Sequence, residues 1–296
     1  MSYRLTVFTP SYNRAYCLNN CYQSLCRQTS NDFCWLVIDD GSTDNTRLLV
    51  ASWIEENQIP IQYIYQENQG MHGAHNTAYK NINTEYNICI DSDDYMPDNA
   101  VEHILRSIEG LDEQYAGLVG LDADTSGNLI GTGIPAHLTE CTLTELYEKF
   151  KVKGDKKLVY RTEIVRKYPQ YPVFEGERLV PLSYLYSLID QEYKLRPLNE
   201  ILVKVDYQPG GSTKTIFSQY MKYPRGFAFF RISSIKLAKG FEGKFRNAIH
   251  LVSSSIFARD GDLLRQIKKP LLIILAMPFG IILNLYIRVK VAYYKK

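Results

Sequence analysis

The sequence predicts an α/β fold: a mostly parallel sheet with helices on both faces, followed by a helical C-terminal region. Three observations predict it. Short apolar runs alternate with segments whose apolar residues recur at helical spacing throughout the first half of the chain. Polar, carboxylate-rich clusters follow directly on those runs. Beyond about residue 212 the pattern changes to amphipathic and then almost wholly apolar sequence.

Leu5-Thr6-Val7-Phe8 reads as the first strand, closed by Pro10. Leu18, Cys21, Tyr22 and Leu25 then recur at i, i+3, i+4 and i+7, which is one face of a helix. Phe33–Ile38 is a near-continuous apolar run, as in a strand buried on both faces of a parallel sheet. It ends in Asp39-Asp40-Gly41-Ser42, where Ser42 or Thr43 is placed to cap a helix with Leu49, Val50, Trp53 and Ile54 on its apolar face. Ile61–Tyr65 is a third strand, Ala74–Asn81 a helix, and Tyr86–Ile90 a fourth strand that stops at Asp91. A helix follows Pro97-Asp98, and Gly117–Leu121 is a further strand. From about Leu143 the regularity fades, leaving a helix over Glu177–Ile189 and a strand over Ile201–Tyr207 before the turn Pro209-Gly210-Gly211. A boundary near Ser212 gives two domains, 1–212 and 213–296.

At 296 residues, 45% hydrophobic and 22% charged, the chain can bury a sizeable core, which excludes disorder, collagen and coiled coil as whole-chain readings. One long apolar stretch is too few for a polytopic membrane protein. The net charge of +2 hides an asymmetry: residues 263–296 carry seven Lys or Arg and no acid, so the rest sums to −5. An acidic body argues against a nucleic-acid partner, and a basic apolar tail points to an anionic membrane surface. The six cysteines show no paired metal spacing and read as buried thiols. No signal peptide is read at the N-terminus, so a reduced, cytosolic compartment is expected.

In open parallel sheets the ligand sits beyond the carboxyl ends of the strands. Residues 9–14, 39–44, 66–72 and 91–96 all follow strands and should converge on that edge. Asp91-Ser92-Asp93-Asp94 is the sharpest of these clusters, because three carboxylates in four residues repel one another and a hard divalent cation relieves the repulsion. Asp39 and Asp40 can accept hydrogen bonds from a nucleobase imide or ribose hydroxyls, Tyr12 can stack on a base, and Arg14 can meet phosphate. Asp122-Ala123-Asp124-Thr125, superficially like a phosphatase nucleophile loop, lies after several strands and before Gly127, so a hairpin turn is expected there.

Thr9-Pro10-Ser11-Tyr12-Asn13-Arg14, Asp39-Asp40-Gly41-Ser42-Thr43-Asp44, Asn68-Gln69-Gly70 and Asp91-Ser92-Asp93-Asp94 resemble, in order and spacing, the family 2 glycosyltransferases with a GT-A (Rossmann-like) fold. The resemblance is clear over about the first 120 residues. It implies that Pro10, Tyr12, Asp39 and Asp40 form a nucleoside pocket, most often for uridine. Asn13, Arg14, Asn68, Gly70, His72 and Ser92 complete the nucleotide-binding set. Asp91 and Asp93 look like the family's Asp-x-Asp pair, with Mn²⁺ or Mg²⁺ as cofactor and Asp93 as its direct ligand. Such enzymes invert the anomeric carbon and need a carboxylate base before a helix after the sheet. Phe174-Glu175-Gly176-Glu177-Arg178-Leu179 occupies that place, so the base is assigned to Glu177, with Glu175 in reserve. Met71 stands where relatives often carry lysine, and a separate metal on His72 and His75 is disfavoured.

Pro270–Ile287 is near the lower length for a bilayer span and contains Pro278, Gly280 and Asn284. Lys268 and Lys269 precede it and Arg288 and Lys290 follow it, so spanning would strand one positive group outside. A peripheral or re-entrant anchor on the cytoplasmic face of a bacterial membrane is therefore expected. The expected reaction moves a hexose from a nucleotide-sugar donor to a lipid-linked or other glycan acceptor in polysaccharide assembly. A sugar nucleotidyltransferase would show a Gly-rich loop where Pro10-Ser11-Tyr12 stands; a non-catalytic nucleotide-sugar-binding module is the other alternative, and a homo-oligomer is left open.

Overall fold

The computed structural model describes residues 3–207 and 215–294. The first half runs β1 (Leu5–Ser11), α1 (Leu18–Cys26), β2 (Phe33–Asp39), α2 (Thr46–Glu56), β3 (Ile61–Tyr65), α3 (Met71–Asn81), β4 (Tyr86–Cys89), α4 (Ala100–Ile108) and β5 (Tyr115–Asp124). Then come α5 (Leu143–Glu148), β6 (Lys156–Arg161), α6 (Thr162–Arg166), α7 (Ser183–Ile189) and β7 (Lys194–Val205). The C-terminal part is helical: α8 (Ile216–Lys222), α9 (Pro224–Leu237), α10 (Phe241–Ala258), α11 (Asp262–Arg265) and α12 (Pro270–Tyr294). Two compact units result, Met1–Gln170 with Leu188–Gln208 and Tyr171–Ser187 with Pro209–Lys296. The boundary expected near Ser212 lies outside the described residues.

The first unit holds a seven-stranded sheet in the order β3-β2-β1-β4-β6-β5-β7. β6 alone runs against its neighbours, so the sheet is mostly parallel. Leu5 and Val7 of β1 point to the face carrying α1, α2 and α4, where Tyr22, Trp35 and Trp53 stack in the main hydrophobic core. Phe8 points to the other face, against His75 and Tyr79 of α3. The alternation of period two thus feeds helices on both sides.

Several elements depart from the expectation. β1 runs through Pro10 to Ser11, for a reason given below. β7 begins at Lys194 and contains Pro197, which a strand at the edge of the sheet tolerates. β6 lies in the stretch where the sequence pattern is irregular. Asp124 does form the expected tight turn, its carboxylate accepting from the Asn128 amide at 2.9 Å.

In the second unit, α7 starts at Ser183 rather than Glu177, because Pro181 biases Val180 to extended backbone and Gly176 turns the chain at φ 75°. α12 is continuous through Pro278. One face of it, with Leu272, Ile273 and Ala276, joins the apolar cluster of α9 and α10. Gly280 lies so close to α10 that a Cβ would meet Val252 at 2.5 Å. Buried Asn284 donates to the Ser253 carbonyl at 3.1 Å and accepts from Arg288 at 2.9 Å. The opposite face, with Leu271, Ile274, Ile282, Leu285 and Val289, is exposed. Among the described residues this is the one helix long and apolar enough to cross a membrane.

Candidate active site

Strand order makes the site. β1, β2 and β3 step outward in one direction, and β4 returns to the other flank of β1. The crevice between β1 and β4 is therefore the point where the winding reverses and ligands enter. Pro10 helps open it. Ser11 accepts from the Asp40 amide toward β2, while Phe8 accepts from the Ile90 amide toward β4. Backbone groups alternate sides, so Pro10 faces β4 and has no N–H for the next rung. The ladder to β4 stops at residue 8 while pairing with β2 continues to Ser11.

Three loops are tied together at this edge. Asn13, in the left-handed region at φ 52°, accepts from the Thr43 amide at 2.7 Å, and its own amide donates to Ser42 Oγ at 2.9 Å. Asp39, fully buried at the end of β2, accepts from the Ser42 amide at 2.8 Å and from the Tyr63 hydroxyl. Asp40, 4% exposed, accepts from Gln66 Nε2 at 2.7 Å and from the amides of Gln69 and Gly70 at 2.8 Å each. Those bonds hold the loop containing Asn68 and set Gly70, at φ 81°, as the cap of α3. Asp40 thus organises the loop as well as lying at the crevice. Gly41 admits the loop closely, since a Cβ there would stand 2.9 Å from the Asn68 nitrogen.

The acidic turn lies across the crevice. Arg14 Nη1 stands 3.7 Å from Asp93 Oδ2, joining the β1 loop to the β4 turn. Burial, then Asp91, pushes the Asp93 carboxyl up, and Arg14 opposes both. Asp94, 3% exposed and accepting from the Asp206 amide at 3.2 Å, is pushed up to about 8, chiefly by burial. Ser92 is buried as well. Tyr12, half exposed, is available for stacking; His72 is buried in the first turn of α3. His75 is pushed down to about 3 by burial, so it is neutral.

Sequence reasoning missed Lys157 and Asp122. β6 enters the sheet between β4 and β5, placing Lys157 beside Gly120 and its ammonium 4.0 Å from Asp122 Oδ2. Burial disfavours that ammonium, but Asp122, Asp91 and Asp94 outweigh it and raise its pKa. Asp122, 2% exposed, is itself pushed up by burial, against Lys157. Lys157 thus adds a buried positive charge that Asp91 and Asp94 also feel. Only an antiparallel strand recognised within 156–161 would have revealed this.

Among the described residues no three His, Cys, Asp or Glu side chains form a ready-made metal cage. The donors nonetheless fit a hard divalent cation, which takes one or two carboxylates and completes its shell with phosphate and water. Asp91 and Asp93 supply carboxylates whose mutual repulsion a cation would relieve.

Glu177 belongs to the second unit. It is 7% exposed, and its oxygens accept from the amides of Arg225 at 2.9 Å and Gly226 at 2.8 Å, at the start of α9. Glu175 is exposed.

A mostly parallel sheet that reverses at β1, with carboxylate-rich turns at its ligand edge, is consistent with the GT-A class of folds. Residues 6–166, more than half of the chain, match glycosyl transferase family 2, and the chain belongs to that family. It is 32% identical over 131 residues to chondroitin synthase of Escherichia coli, covering 44% of this chain and 19% of that protein. The curated relatives are longer, the matched stretch spanning 15% to 37% of their length. Among solved structures, Staphylococcus aureus TarS 1–349 in complex with UDP-GlcNAc aligns with TM-score 0.65 and 16% identity, over 95% of this chain and 81% of that one. The mannosyltransferase PcManGT of Pyrobaculum calidifontis, with GDP-Man and Mn²⁺, aligns with TM-score 0.57 and 15% identity, over 97% and 88%. At such identity these two establish the fold.

Proposed function

We propose that the chain is an inverting, metal-dependent transferase that moves a hexose from a UDP-linked donor to a lipid-linked glycan acceptor in bacterial surface-polysaccharide synthesis. The observation that carries this reading is the meeting, at the β1–β4 crevice, of the Thr9–Arg14 loop, the Asp39–Asp44 loop and the Asp91–Asp94 turn. In this reading Pro10, Tyr12, Asp39 and Asp40 receive the nucleoside. Asn13, Arg14, Asn68, Gly70, His72 and Ser92 surround the rest of the nucleotide. Asp91 and Asp93 would hold Mn²⁺ or Mg²⁺, which when bound offsets the charge of the leaving diphosphate. Arg14 orients Asp93 and offers a second positive charge to phosphate. An inverting displacement also needs a base for the acceptor hydroxyl, and the Glu175-Gly176-Glu177 turn is proposed to supply it. Support for a UDP-sugar comes from the UDP-GlcNAc held by TarS, for Mn²⁺ from PcManGT, and for a glycan acceptor from chondroitin synthase.

The exposed face of α12 supports contact with the cytoplasmic leaflet, with Lys268, Lys269, Arg288 and Lys290 at lipid headgroups. The helix is proposed to lie on the surface. Its inner face is packed on α10, so spanning would draw Glu242, Lys244 and Arg246 toward hydrocarbon at a cost of several kcal/mol.

Mn²⁺-dependent UDP release from a panel of UDP-hexoses tests the reading. UDP release that disappears with EDTA and in Asp93→Asn is expected. No release from any donor, or release indifferent to Asp93, overturns it.

A further inference from the structure

Glu177 stands where a base was expected, yet its surroundings are those of a clamp. The two amides on its carboxylate belong to Arg225 and Gly226, directly after Pro224 at the start of the 14-residue α9. They are among the first-turn N–H groups that have no partner within their own helix, and a carboxylate there also meets the positive end of the helix. Gly226 is part of the fit: a Cβ would stand 2.0 Å from the Leu179 carbonyl oxygen, so only glycine lets the helix end approach this turn. Phe229, one turn along α9, packs its ring on Tyr184 at 4.8 Å and Phe174 at 6.2 Å. Tyr171 donates to the Leu182 carbonyl at 2.9 Å and closes the segment on itself. A base must present an open lone pair to the acceptor hydroxyl, whereas each Glu177 oxygen is turned to a backbone amide and the residue is only 7% exposed. Glu175, two residues away, is exposed.

We infer that Glu177 is a positioning residue that fastens the Phe174–Val180 turn to α9, and that Glu175 takes the acceptor's proton. This rests on the transferase reading above. One consequence is that the base-bearing turn shares a compact unit with the apolar face of α12, so acceptor chemistry and membrane contact reside in the same body.

The test uses the full chain with Glu177→Gln, Gly226→Ala, their double variant and Glu175→Gln. Thermal midpoints and Mn²⁺-dependent UDP release from UDP-glucose and UDP-GlcNAc are followed across pH. Glu177→Gln should lower the midpoint by about 2–8 °C. Gly226→Ala should lower it too, and the double variant should fall no further than the worse single, because both act on one contact. UDP release in Glu177→Gln should stay within about tenfold of wild type with the pH profile unchanged, while Glu175→Gln loses about 10²- to 10⁴-fold. The inference is overturned if Glu177→Gln loses release to that extent with its midpoint intact, or if Glu175→Gln releases UDP normally. Additive midpoint losses overturn the clamp. A Glu177→Gln chain that does not fold counts for the clamp, and Glu175→Gln then decides the base. If Gly226→Ala does not fold, the midpoint and rate of Glu177→Gln decide. If the wild type releases no UDP, the transferase reading fails, while the thermal cycle still decides the clamp.

Discussion

Replacing Lys157 by methionine removes the ammonium facing Asp122 and leaves a carboxylate that is 2% exposed without that partner. Were Asp122 to stay ionised, breaking the pair would cost about 3–5 kcal/mol. Protonation sets a ceiling. From the ordinary value of 3.8, neutralising the carboxyl costs about 1.36 kcal/mol per pH unit, hence about 4 kcal/mol at pH 7 and about 1.6 kcal/mol at pH 5. In the variant the folded-state pKa of Asp122 lies above its unfolded value. Stability is therefore retained at low pH and lost as pH rises. Burial already raises Asp122 in the wild type, so relative to wild type at each pH Lys157→Met should lose up to about 4 kcal/mol at pH 7 and less than about 1.6 kcal/mol at pH 5. Both tryptophans, Trp35 and Trp53, lie in the first unit, so urea denaturation followed by their fluorescence reports that unit. An equal loss at both pH values, or a loss below about 1 kcal/mol at pH 7, refutes the pairing argument.

Asp94, raised to about 8 by burial and its acidic neighbours, contributes stability below its unfolded pKa that is lost as pH climbs through about 8. In EDTA the tryptophan-monitored midpoint should therefore fall from about pH 4 to about pH 8 and level off above it, and Asp94→Asn should flatten that fall. Asp40→Asn turns an amide group toward one of three donors and should cost about 1.5–3 kcal/mol, with weaker UDP binding by calorimetry; undiminished stability would remove Asp40 from the loop's support. Leu275→Glu with Ile282→Glu, both on the exposed face of α12, should reduce flotation with phosphatidylglycerol vesicles at least about tenfold while leaving the tryptophan midpoint unchanged. Unaltered flotation would rule out that face as the lipid contact.

The first four strands and their loops were legible because local pattern determines them. Phe33–Ile38 is apolar without interruption, and a strand buried on both faces must be. The convergence of the Asp39 and Asp91 clusters followed from chain order alone. Pro10 misleads because a missing N–H reads as the end of a strand, whereas here it ends only one of two ladders. Lys157 escaped notice because its meaning depends on β6 pairing with β4 and β5, a relation between distant segments that no local window contains. Glu177 matched a motif position, but the partners of its carboxylate lie 48 and 49 residues further on.

The division of the chain also governs how it can be shortened. Tyr171–Ser187 is numbered with the sheet but packs with the helices. Ending the polypeptide after β7, the obvious way to shed the greasy tail for solubility, would strip Glu177 of its amides and Phe174 and Tyr184 of Phe229. A better-behaved soluble version would keep α9 and α10 and recolour the outer surface of α12 with polar residues, preserving Gly280 and Asn284 on its inner one.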